Sequence, residues 1–128
     1  MHLLNPGVTF VSLLEIFTNG VVCALFVYYY DSLWVAIAYH MSWNFTQNII
    51  FGLPNSGIVS EYSLFRFDSV SAKNGLFYNV DFGVEGSLGS VIVNLLIIAA
   101  ILFINRGKPE KNDIWAQSAP PAREDNAE

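Results

Sequence analysis

The sequence predicts an all-α integral membrane protein of about three transmembrane helices, with an irregular loop, holding room for a short β-hairpin, between the second and third. Three observations carry that prediction. The 128 residues are 53% hydrophobic and 15% aromatic but only 13% charged, with a mean hydropathy of +0.41, whereas a soluble domain devotes about a quarter of its residues to charge. The apolar residues gather into three runs long enough, or nearly so, to cross a hydrocarbon layer about 30 Å thick. Charge is sparse inside those runs, and Arg106 to Glu128 holds four of the six basic and five of the eleven acidic residues. The net charge of −5 therefore says little about partners, and nothing points to nucleic acid.

The first run, about Val8 to Tyr30, reads as a helix and is no secretory signal, because no Lys or Arg precedes Arg66. Its single cysteine, Cys23, cannot form an intramolecular disulfide and reads as a small hydrophobe in a packed helix. Only Asp31 and Ser32 separate this run from the second, about Leu33 to Leu53, so the two form a tight helical hairpin. Tyr28, Tyr29, Tyr30 and Trp34 mark its interfacial end, and Ser32 is placed to cap the second helix. The third run, about Leu88 to Ile104, is near the lower length limit for a span. Between the second and third, Pro54 to Ser87 is rich in Gly, Asn and Ser, and Asn74-Gly75 is the dipeptide of a hairpin turn between "SLFRFDSV" and "LFYNVDF". Residues 1–105 are thus read as one membrane-embedded unit and 106–128 as a disordered polar tail. Arg106, Lys108 and Lys111 after the third span place the C-terminus in the cytoplasm by the positive-inside tendency.

Two polar stripes cross these apolar helices. His40, Asn44 and Asn48 recur at a spacing of four, which stacks them on one face of the second helix, with Gln47 at its edge. Ser12, Glu15, Asn19 and Cys23 draw a similar stripe on the first helix. Facing each other, the stripes would enclose a small polar cavity. Asn19, Gln47, Asn48 and Asn94 read as interhelical packing groups, each contributing on the order of 1 kcal/mol. His40 with Asn44 is a candidate site, because an imidazole at membrane depth needs a reason to be there. Glu15 has two readings, a site-lining acid or a protonated structural residue. Ser42 is turned about 200° from His40, so a serine–histidine nucleophile on this helix is excluded, and no zinc signature, phosphate loop or Cys-x-x-Cys occurs.

The segment "SLWVAIAYHMSWNF" resembles the last motif of the CPBP intramembrane proteases, also called the type II CAAX prenyl protease or Abi family, whose helix carries His-x-x-x-Asn. "MHLLNPGVTF" is similar to the end of the preceding motif, Phe-x-x-x-His, with His2 as the histidine, and "FGLPNSG" and "FGVEGSLGS" are similar to segments downstream of the last motif. The resemblance covers about residues 1–105. It implies a multi-helix endopeptidase of a bacterial cell membrane that hydrolyses peptide bonds of membrane-associated protein or peptide substrates with activated water. Carried over to this chain, His2 helps polarise water or binds a metal, and His40 and Asn44 stabilise the oxyanion. Alternatively, His2 and His40 are ligands of a divalent metal such as zinc; a glutamate–histidine site would use the same residues without metal. The family's first motif, Glu-Glu-x-x-x-Arg, is not among the 128 residues. The expectation is therefore a C-terminal portion that is inactive alone, or else a non-catalytic relative such as a bacteriocin-immunity or interaction subunit. A channel or transporter fragment leaves the motif order unexplained.

Overall fold

The computed structural model describes residues 4, 5, 7–66 and 73–107. Its elements are helical: α1 (Phe10–Tyr30), α2 (Leu33–Asn44) continued by a π-helical stretch (Phe45–Ile50), a 3-10 turn (Val84–Gly86) and α3 (Leu88–Asn105). No strand forms among the described residues. Isolated bridges join Asn55 to Ile58 and to Gly83, and Asn79 to Gly83.

Helix α1 begins where Thr9 and Ser12 satisfy each other's backbone: Ser12 N–H donates to Thr9 Oγ1 at 3.2 Å, and Thr9 N–H to Ser12 Oγ at 2.6 Å. It ends at Asp31, whose left-handed φ of 52° turns the chain while its N–H bonds Val27 O. Ser32 occupies the cap position of α2 as expected, but its side chain makes no capping bond. Helix α3 starts on Ser87, whose hydroxyl accepts from Ser90 N–H. α1 lies between the other two helices, packing against both.

The molecule is inside-out relative to a protein folded in water. Among the described residues the buried set holds five hydrophobic side chains against eleven polar or charged ones. Meanwhile Phe17, Trp34, Met41, Leu96, Phe103 and Ile104 stand outward, each more than half exposed. In water this surface would forfeit the hydrophobic effect; against hydrocarbon it forfeits nothing, and polar groups turn inward to find partners. α1 and α3 are each long and apolar enough to cross a bilayer.

The second expected span differs from the first and third. Its α-helical part stops at Asn44, and the widened turns Phe45–Ile50 carry the axis on, with Phe51 N–H reaching back five residues to Thr46 O. The stretch then closes on itself through Leu53 N–H to Gln47 O and Gln47 Nε2 to Pro54 O. The chain following it returns over the end of this helix, pairing Leu64 with Ile49 and Phe65 with Ile50.

The expected hairpin lies partly outside the described residues, at 67–72. Its turn is built differently in the part that is described. Gly75 does not take the positive φ that a tight two-residue hairpin demands. Instead the Asn74 side chain accepts from Val80 N–H at 2.7 Å, and Gly75 N–H bonds Tyr78 O. A side-chain acceptor closes this loop where a strand ladder was expected. The expected tail lies, from residue 108 on, outside the described residues.

Candidate functional site

The inner face of α2 is set by Ala36, Tyr39, Trp43 and Gln47, at steps of three and four. Ala36 and Gln47 are buried. Tyr39 Oη donates to Asn94 Oδ1 of α3 at 3.2 Å, and its ring meets Phe26 of α1 edge-on. Trp43 Nε1 donates to Glu85 Oε1 at 3.2 Å. His40 and Asn44 follow Tyr39 and Trp43 by one residue and so sit about 100° around the helix from that face. This corrects the expectation that the His40-Asn44-Asn48 stripe is buried against a partner helix: His40 is exposed, and Asn44 and Asn48 are half-buried. The larger aromatic side chains, with polar tips that reach partners on α3 and the loop, take the interior instead. Asn48 Oδ1 accepts from Ser60 N–H, and Gln47 holds the loop through Pro54, as packing groups do.

His40 and Asn44 remain a pair. Asn44 Nδ2 lies 3.2 Å from His40 Nε2. With the amide as donor, Nε2 is the acceptor and the ring proton sits on Nδ1. The Nδ1–H and the second amide N–H are then the donors this pair has left for a guest.

The stripe of α1 does face inward. Ser12, Glu15 and Asn19 are buried and Cys23 is half-buried, its thiol 3.9 Å from Asn19 Oδ1. Asn94 Nδ2 donates to Glu15 Oε1 at 3.1 Å and to Thr18 Oγ1 at 3.3 Å. Tyr39, Asn94 and Glu15 thus link three helices through one amide. A cavity of about 340 Å³ lies beside this link, lined by Glu15, Asn19, Cys23 and His40 and, from the loop, by Ser56 and Glu85. A cavity does lie between the first two helices, with the loop as an added wall, but of the α2 stripe only His40 reaches it.

Glu85 and Ser56 are residues that the helical spacings could not find. The Glu85 carboxylate is buried and accepts from Trp43 Nε1 on one oxygen and from Ser56 N–H (2.9 Å) and Ser56 Oγ (2.6 Å) on the other. These partners are 42 and 29 residues away in sequence, beyond any periodic signal. The visible trace is only an acid placed between glycines in "FGVEGS". Of the expected site residues, His2 lies outside the described residues. No three His, Cys, Asp or Glu side chains among the described residues are grouped to hold a metal ion, and His40 Nε2 already faces Asn44.

Comparison with protein families bears on the motif directly. Residues 1–46 match a family model. It is that of the type II CAAX prenyl endopeptidase Rce1-like family. The match supports the family resemblance carried by the motif, and the matched residues include both His40 and Asn44. Type II CAAX prenyl endopeptidases are membrane proteases, so the chain is similar to a membrane protease over the helical hairpin that carries the pair. No curated protein and no solved structure matches the chain.

Proposed function

We propose that this chain forms the C-terminal, oxyanion-stabilising part of a CAAX protease-like intramembrane endopeptidase. The observation that carries the reading is His40, hydrogen-bonded to Asn44 and lining a cavity that reaches buried polar groups of α1 and the loop, on the segment similar to the Rce1-like family. Water attacks the scissile carbonyl carbon and pushes its electron pair onto oxygen. His40 Nδ1–H and the second Asn44 amide N–H are the donors that meet this charge. Collapse of the intermediate breaks the C–N bond and expels the amine, which takes up the proton that water gave to the general base. The acid that accepts water's proton belongs to the first motif, absent from these residues, with His2 as its partner. The substrate is a membrane-associated protein or peptide, and the membrane is that of a bacterial cell with the C-terminus in the cytoplasm.

The test is cleavage of a membrane-tethered reporter by cells expressing these residues together with the coding sequence upstream of them. His40→Ala and Asn44→Ala are each expected to lower turnover by about 10²-fold or more while membrane insertion is unchanged. Undiminished turnover in both removes the pair from the site. Cleavage by the 128 residues alone would overturn the assignment of the acid to the first motif. Activity lost to a chelator and restored by zinc would make His40 and His2 metal ligands, and activity that survives chelation would leave them as hydrogen-bonding groups.

A further inference from the structure

Helix α2 carries the working pair yet is weakly held by apolar packing. Ala36 is its one buried residue between Leu33 and Asn44, and Trp34, Met41 and Phe45 point outward. A helix fixed by so little apolar burial can rotate about its own axis unless polar contacts stop it, and rotation would carry His40, with the Asn44 bonded to it, away from the cavity. Beyond Asn44 the π-helical stretch is held by Gln47 on Pro54 O, and within α2 itself two inner-face side chains end in such contacts: Tyr39 on Asn94, and Trp43 on Glu85.

The second contact is the better anchored. Glu85 is itself fixed by Ser56 through both the backbone N–H and the hydroxyl. Ser56 holds a left-handed φ of 49°, and its carbonyl accepts from Asn5 Nδ2 at 2.8 Å. Around Glu85, Phe82 is fully buried and Gly83 adopts a φ of 87° against Pro54 O. The carboxylate is therefore a fixed point, and the indole N–H that reaches it belongs to the residue between Ser42 and Asn44. Ser56 and Glu85 also line the cavity beside His40.

We infer that Glu85 is a positioning residue: by tying the Trp43 indole to Ser56 of the loop, it sets the rotation of α2 that presents His40, with Asn44 bonded to it, to the cavity. The inference rests on the proposed role of that pair and on no step of the chemistry touching Glu85 itself. Because the strut acts through one N–H···O bond, Trp43→Phe, which keeps a ring in place and deletes only the donor, should act like Glu85→Gln. The two together should do little more than either alone, since both break the same link.

The experiment uses the full chain in lipid nanodiscs, with nitrogen-labelled histidine and asparagine. The sequence holds two histidines, and the His40→Ala spectrum identifies the His40 ring signals. Trp43→Phe and Glu85→Gln are both expected to displace the His40 ring and Asn44 amide signals, the double variant no further, while Ser42→Ala leaves them in place. Thermal melts of each variant show that the fold persists. Unmoved His40 and Asn44 signals in folded Trp43→Phe would overturn the inference whether or not the protein cleaves anything, so this result stands apart from the fate of the protease reading. In the cleaving protein, Trp43→Phe is expected to lower kcat about tenfold with KM nearly unchanged, as misorientation of a donor does. An altered KM at constant kcat would make Glu85 a substrate-binding wall instead of a positioning group.

Discussion

At the scale of the residue, Glu15 is the group whose presence in a bilayer most needs a cause. An isolated carboxylate there is strongly disfavoured, but this one is buried beside Asn94, which donates to its Oε1 while accepting from Tyr39. The amide needs an acceptor on that side, and an uncharged amide can supply one. Glu15→Gln is therefore expected to keep the link and change stability in nanodiscs by less than about 1 kcal/mol. Glu15→Leu leaves the Asn94 amide with Thr18 Oγ1 as its remaining acceptor and is expected to cost about 1–2 kcal/mol, read as a lower melting temperature. Equal losses in the two variants would mean that the charge, and not the acceptor, is what α3 recognises. The spacing of Ser12, Glu15 and Asn19 makes this stripe legible in the sequence, because one face of a helix is a local property. Glu15's partner on α3, and through it Tyr39 on α2, are not legible there, being separated from it by tens of residues of chain whose path only folding determines. The direction of the α2 stripe escapes the sequence for a related reason. Two adjacent faces, Tyr39–Trp43 and His40–Asn44, both offer polar tips at the same spacing, and the choice between them rests on where Asn94 and Glu85 lie.

At the scale of the element, the π-helical stretch Phe45–Ile50 and the Val84–Gly86 turn work together. Widening the helix after Asn44 brings Gln47 to the Pro54 carbonyl, and Gly83 crosses that carbonyl with no room for a side chain. The φ of 87° at Gly83 adds a second reason against any substitution. Gly83→Ala is expected to destabilise the protein by about 2 kcal/mol or more and to expose the Pro54–Ile58 turn to limited proteolysis. By contrast Gly75, with open space around it and no positive φ, should accept alanine with little change. A protease-resistant Gly83→Ala protein would show that this crossing can relax. The three helices are legible in the sequence as apolar runs, and α1 and α3 match them closely. The loop is legible only as a loop, since "FGLPNSG" and "FGVEGSLGS" signal turns by composition while their mutual contact has no local signature.

At the scale of the whole molecule, the question is whether the hairpin α1–α2 crosses the bilayer twice. From Leu33 to Ile50 the backbone stays helical, which at about 1.5 Å per residue gives roughly 27 Å, close to the hydrocarbon thickness. The contacts at its far end agree: Asn5, just before α1, bonds Ser56, just after the π-helical stretch, so the chain returns to the level at which it began. Three crossings would place Ser32 on the same side as Arg106, the side proposed to be cytoplasmic, and Glu61 on the opposite one. Since Cys23 is the sole cysteine, replacing it by alanine frees the chain for single reporters. In intact cells a membrane-impermeant maleimide is expected to label Glu61→Cys, and to label Ser32→Cys only after lysis. If α2 instead dipped into the bilayer and returned, both positions would label from one side, and the cavity walled by His40 would lie at the membrane surface and not within it. Labelling thus settles where a substrate bond must be when His40 and Asn44 meet it: on opposite-side labelling, His40 lies about 12 Å below the level of Ser32, and only a substrate segment drawn into the bilayer can reach the pair.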